Sequence, residues 1–156
     1  MDTTKEYVLM CEKAIEIQKK SWWLVGDFIA SHSDNHGIEN LGCISQQNGH
    51  IFAQKYSKHP FGDKVGVLSC MITIPKSGHD DLYIWLPRQD QLQDMISWDK
   101  RMTAREIIET FSVFIGFERA DYYNKFTSME QLWLAFVMYD IWNKKWNGKD
   151  WIKINK

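Results

Sequence analysis

Residues 82–96, LYIWLPRQDQLQDMI, decide how this chain is read, because a strand pattern runs there directly into a helix pattern with one proline between them. Leu82, Ile84 and Leu86 fall on one strand face, and Tyr83 and Trp85 on the other. Pro87 brings a φ near the helical value to a first-turn position, where a missing N–H is tolerated. Behind the polar turn Arg88-Gln89-Asp90-Gln91, the residues Leu92, Met95 and Ile96 recur at helical spacing. The stretch carries no nucleophile, metal cluster or phosphate loop. It is a joint, and it predicts a chain in which sheet gives way to helix.

Outward from the joint, the preceding half reads mostly as strand. Residues 22–30 are β-like, with Gly26-Asp27 as a bend or bulge. Residues 31–40, SHSDNHGIEN, have the composition of a polar loop. Residues 41–47 and 50–56 flank Asn48-Gly49, a pair suited to the positive φ angles of a type I′ hairpin turn. Residues 57–64 read as a further loop. The run 65–74 has little polar alternation and predicts a central strand covered on both faces.

Helices are expected at both ends. Residues 4–20 show a helical pattern with Val8, Cys11, Ile15 and Gln18 on one face. Thr103 and Glu106 form a capping box, in which each side chain satisfies an orphan backbone N–H at a helix start. Ile107, Ile108, Phe111, Phe114 and Ile115 make the buried stripe that follows. Ser128 with Gln131, or Thr127 with Glu130, opens another helix. Its residues 132–139 are apolar around most of the circumference, so that helix is central or shared with a partner. A stop at Gly148 and a short return strand end the pattern. The fold class expected is α+β: a mostly antiparallel sheet of four or five strands, with an N-terminal helix and C-terminal helices, in one domain spanning 1–156.

Composition narrows the function classes. A formal charge of −1 over 156 residues fits neither a polyanion binder nor an acidic nucleic-acid mimic. No run of eighteen apolar residues and no signal-peptide pattern occurs, so a cytoplasmic, non-membrane protein is expected. Three widely spaced cysteines, Cys11, Cys43 and Cys70, suit a reducing compartment. The 22 aromatic residues are more than an average chain holds. They fill a core, and some are available for a binding surface, where tryptophan and tyrosine are favoured.

Three constellations invite a chemical reading. Asp27, His32, Asp34 and His36, with His59, could line a pocket for a small ligand or nucleotide, hydrolysis included. All five histidines fall between positions 32 and 79, but His32 and His36 are not on a predicted helix and their spacing does not converge them. No metal or other cofactor is called for. Cys43 and Cys70 have no evident cationic neighbours to lower a thiol pKa, so no catalytic residue is assigned. Lys144 and Lys145, interleaved with Trp142, Trp146 and Trp151, have the makings of a single-strand nucleic-acid surface. The competing reading, tryptophans capping the core while lysine stems cover apolar area, is preferred.

The motifs WLPRQDQLQDMI and SMEQLWLAFVM, the later WNGKDWI and the opening MCEKAIEIQ running on to GDFI resemble small uncharacterised proteins encoded in tailed phages and prophages. Residues 31–79 carry no part of the resemblance. It implies a phage-related setting and brings no activity, cofactor or site residue with it. The expectation is a non-enzymatic accessory protein that binds a host or phage protein, counter-defence being one version. Trp133 and Tyr139 on the apolar helix are the candidate contacts, and a homo-oligomer is compatible with the same surface.

Overall fold

In a computed structural model of the chain, the backbone is described for residues 1–20, 26–33, 37–47, 50–58, 65–68, 83–117 and 120–155, and side chains for 1–19, 26–30, 83–97, 101–116 and 122–155. Contacts cluster the chain into two compact units, Thr3–Leu86 and Met1–Asp2 with Pro87–Lys156. The boundary falls inside the joint, at the bond preceding Pro87.

The first unit opens with α1 (Lys5–Lys13), capped by Thr4, whose hydroxyl accepts from the Tyr7 N–H at 3.3 Å. At Ala14 the backbone leaves the helical region, with ψ at 64°, and α2 (Ile15–Lys20) resumes in a new direction. This break replaces the single helix expected over 4–20. It turns Ile15 outward, at 54% exposure, and brings Ala14 and Ile17 fully inside with Val8, Cys11 and Gln18.

Five strands follow. They are β1 (Phe28–Ser33), β2 (Gly37–Gln47), β3 (His50–Lys58), β4 (Val65–Leu68) and β5 (Tyr83–Leu86), paired antiparallel in the order β4-β3-β2-β1-β5. Gln47 pairs with His50 across the hairpin whose turn, 48–49, lies outside the described residues. Residues 31–33 and 37–40 are strand rather than the loop expected over 31–40. The strand expected to be central over 65–74 has its described part, β4, at the end of the order. In β5 both faces are covered: Ile84, Trp85 and Leu86 are all buried. Both of the faces expected for this strand are thus packed, and α1 lies against it.

The second unit is helical. Pro87 precedes α3 (Gln89–Lys100) rather than opening its first turn, because Arg88 is the N-cap. The Gln91 side chain reaches back and accepts from the Arg88 N–H at 2.8 Å, supplying one half of a capping box. Then come α4 (Ala104–Phe117), α5 (Ala120–Tyr123) and α6 (Met129–Trp142). The chain leaves α6 through Asn143, in the left-handed conformation, and forms a hairpin of β6 (Lys144–Trp146) and β7 (Trp151–Lys153). Gly148, at φ +100°, thus sits in the hairpin turn and not at a helix stop. Asn147 closes that turn by accepting from the N–H groups of Lys149 and Asp150, each at 2.8 Å.

The α+β class built on a four- or five-stranded sheet needs correcting. Where side chains are described, helix outweighs strand, 58% to 15%, and strand is confined to two two-stranded ladders, β1 with β5 and β6 with β7. The packed interior of the second unit comes from helices α3, α4 and α6, with the Trp146–Trp151 hairpin added to it. The physical reason lies in residues 87–142. That stretch was given the end of the fold, yet its helical repeats supply a second set of large buried side chains, Leu92, Ile96, Phe114 and 133–138 among them.

Candidate functional site

Helix α6 is the element on which the binding expectation rested, and its surroundings redirect that expectation. Trp133, Leu134, Ala135, Phe136, Val137 and Met138 are all buried. Trp133 lies flat on Phe111, with ring centroids 4.2 Å apart and planes within 6°. Phe136 meets Phe111 and Phe114 at 5.3 and 5.2 Å. The all-round apolar sequence thus marks a core helix. Tyr139 is half-buried against Phe114, with centroids 5.1 Å apart. Trp133 is held in the interior; Tyr139 keeps partial access to solvent.

The N-terminal end of α6 carries a buried polar cluster. Asp2, 7% exposed, accepts from Ser128 Oγ at 2.5 Å and from Gln131 Nε2 at 2.7 Å. Gln131, fully buried, accepts from the Thr127 N–H at 3.1 Å, and its own N–H is received by Ser128 Oγ at 3.1 Å. The carboxylate lies beside the positive end of the helix dipole, where negative charge is favoured. Every group in the cluster has a structural task, so it caps and anchors.

At the other end of α6 the lysine–tryptophan tail does not form a stacking platform. Trp146 and Trp151 are 3% and 8% exposed, and their rings pack on each other at 5.1 Å. The Trp146 N–H donates to the Tyr122 hydroxyl at 3.0 Å. Lys145 Nζ sits 5.1 Å from the Tyr122 ring centroid, a cation–π contact. Trp142 and Lys144 are half-buried. The indoles that a nucleic acid would stack on face inward, which is the arrangement of a core cap.

Of the residues expected to line a pocket, Asp27 is the one whose side chain is described. Asp27 is buried at the entry to β1. For His32 only the β1 backbone is described, while Asp34, His36 and His59 lie outside the described residues, as does Cys70. Among the described residues, no group of three or more histidine, cysteine, aspartate or glutamate side chains could hold a metal ion. Cys11 is buried in α1.

Three of the exposed apolar side chains are on α4, where sequence reading placed a buried stripe. Ile107 and Phe114 do face inward. Ile108, Val113 and Ile115 are 61%, 54% and 40% exposed. Ser112 and Thr110 turn their hydroxyls onto the helix's own carbonyls at Ile108 and Glu106, each at 2.8 Å, so they add little polarity to the face. A Cβ built on Gly116 would meet no atom within 4 Å, so the C-terminal end of this face is open. Ile107, Phe111 and Phe114 make the centre of the stripe while Ile108 and Ile115 lie on its flank, and nothing local tells Ile108 from Ile107.

Among the described residues, no helix is long and apolar enough to cross a membrane. Set against family models, curated proteins and solved structures, the chain matches none of them.

Proposed function

We propose that this chain is a non-catalytic accessory protein, of the phage type its motifs resemble, that acts by binding a host or phage protein. One observation supports this reading most: the solvent-facing Ile108 and Ile115, two turns apart on the same side of α4. Apolar residues grouped on one exposed helix are a surface that association would cover. The binding surface is accordingly placed on α4 rather than on Trp133, Trp146 or Trp151, which are already occupied by the core. The test is a capture experiment from a bacterial lysate with the wild-type chain and with Ile108→Glu/Ile115→Glu in parallel. Proteins retained by the wild type and lost by the folded variant support the reading. An identical set of captured proteins for both would remove it.

A further inference from the structure

On the side of β5 away from β1, where no described strand pairs with it, a side chain imitates a strand. In an antiparallel ladder the N–H and C=O of one residue point to the same edge, alternating along the strand. β5 pairs with β1 on one side, with Trp85 opposite Ile29, and ends the strand order on the other. On that outer side the Gln18 carboxamide meets both backbone groups of Trp85. Its Oε1 accepts from the Trp85 N–H at 2.9 Å, and its Nε2 donates to the Trp85 carbonyl at 3.0 Å. The second Nε2 hydrogen goes to the Cys11 carbonyl, also at 3.0 Å, which ties the amide to the end of α1. All three bonds are buried, and the two to Trp85 join residues 67 positions apart. A primary amide placed this way presents to Trp85 the same donor and acceptor pair as a neighbouring backbone.

We infer that Gln18 is an edge guard: it fills the slot of a sixth strand and keeps β5 from pairing with the β5 of a second copy. The second copy is the occupant the geometry points to. Antiparallel pairing of β5 with itself about Trp85 sets that residue opposite its own image, so one N–H and one C=O satisfy each other reciprocally with no other sequence required. The strand is also apolar on both faces, the kind of edge that associates when uncovered. The Trp85 indole N–H is buried with no acceptor, so the closed arrangement leaves one donor at this residue unsatisfied.

Gln18→Met keeps the side-chain length and removes both hydrogen-bonding functions. The full chain carrying it is compared with the wild type by sedimentation velocity, with far-ultraviolet circular dichroism to report the fold. Gln18→Met is expected to double in mass at concentrations where the wild type does not change. Adding Tyr83→Lys, which puts a charge on the same edge, is expected to return the mass to the wild-type value. A folded Gln18→Met with unchanged mass overturns the inference. So does association that survives Tyr83→Lys. Loss of the fold in Gln18→Met overturns it as well, because Gln18 would then be a general core residue.

Discussion

The Gln131 side-chain amide donates to the Asp2 carboxylate at 2.7 Å, joining residues 129 positions apart in a buried contact. The same oxygen receives the Ser128 hydroxyl, so one carboxylate serves both the cap and the first turn of α6. Asp2→Ala is expected to lower unfolding free energy by about 1–3 kcal/mol, the usual effect of stranding a buried polar group. Asp2→Asn, which keeps one acceptor oxygen, is expected to lose less. Urea denaturation of the two variants checks the order. Equal losses would show that the carboxylate is held for its charge alone.

Phe136 is 1% exposed and touches the rings of Phe111, Phe114 and Trp133. Truncation there leaves a cavity bounded by aromatic edges that cannot close on it. Phe136→Ala is expected to cost about 3–5 kcal/mol. Ile108→Ala, one residue beyond the buried Ile107, is expected to change stability by less than about 0.5 kcal/mol. Thermal and urea unfolding of the pair measure the contrast, and comparable losses would mean that α4 is covered on both sides.

At the start of α4, Glu106 Oε2 accepts from the Thr103 N–H and from its hydroxyl, each at 2.7 Å. These two bonds hold the Glu106 carboxyl below its ordinary value of 4.5. Asp90 shifts the same way: burial pushes its carboxyl up, but the hydrogen bond and charge of Arg88, with backbone N–H groups, outweigh that and hold it lower. For a carboxyl lowered in the folded state, the stabilising contribution is present above the unfolded value and disappears as pH falls through the folded one. Helix content is therefore expected to fall on acidification below about pH 4.5. Glu106→Gln keeps an acceptor without a titrating proton and is expected to flatten that response. A circular dichroism titration unchanged by the substitution would contradict it.

Trp151 lies against Trp146 in a hairpin of three residues per strand, too short to stand without the side chains beneath it. Trp151→Ala is expected to destabilise the second unit by roughly 3 kcal/mol, at the lower end for a buried aromatic. Lys144→Glu/Lys145→Glu is expected to leave stability nearly unchanged and to produce no difference in oligonucleotide retention. Filter binding at low salt tests the last point, and retention that fails in the lysine variant would restore a nucleic-acid role.

Signals carried within a few residues of chain were legible. Thr103 with Glu106 announced a helix start, and Gln47 meets His50 across Asn48-Gly49 as the turn chemistry required. The joint separated strand from helix within two residues of the true boundary. What failed depended on partners far away in sequence. No residue near Ala14 shows that the helix breaks there and turns Ile15 outward. Trp133 reads equally as core or contact until Phe111 is known to lie flat against it. Gln18 looks like a polar residue at the end of an amphipathic helix, because its partner at Trp85 comes only after four further strands. The weight of helix over strand was missed for a related reason. Strand patterns over 22–86 are many and short, whereas the helical repeats of 87–142 add a bulky interior of their own.

The Asp2 cluster also has a meaning in time. Residues 3–86 form an unbroken run, so every partner within that unit has been synthesised once Leu86 is added. Asp2 belongs to the other unit, and its two acceptor contacts need Ser128 and Gln131. At a synthesis rate of about 5–20 residues per second, Gln131 follows Asp2 by roughly 6–26 seconds, and that seat is not available before then. The segment made before all of 3–86 is thus placed after it, and the contact between Asp2 and α6 is a late seal on the order of assembly.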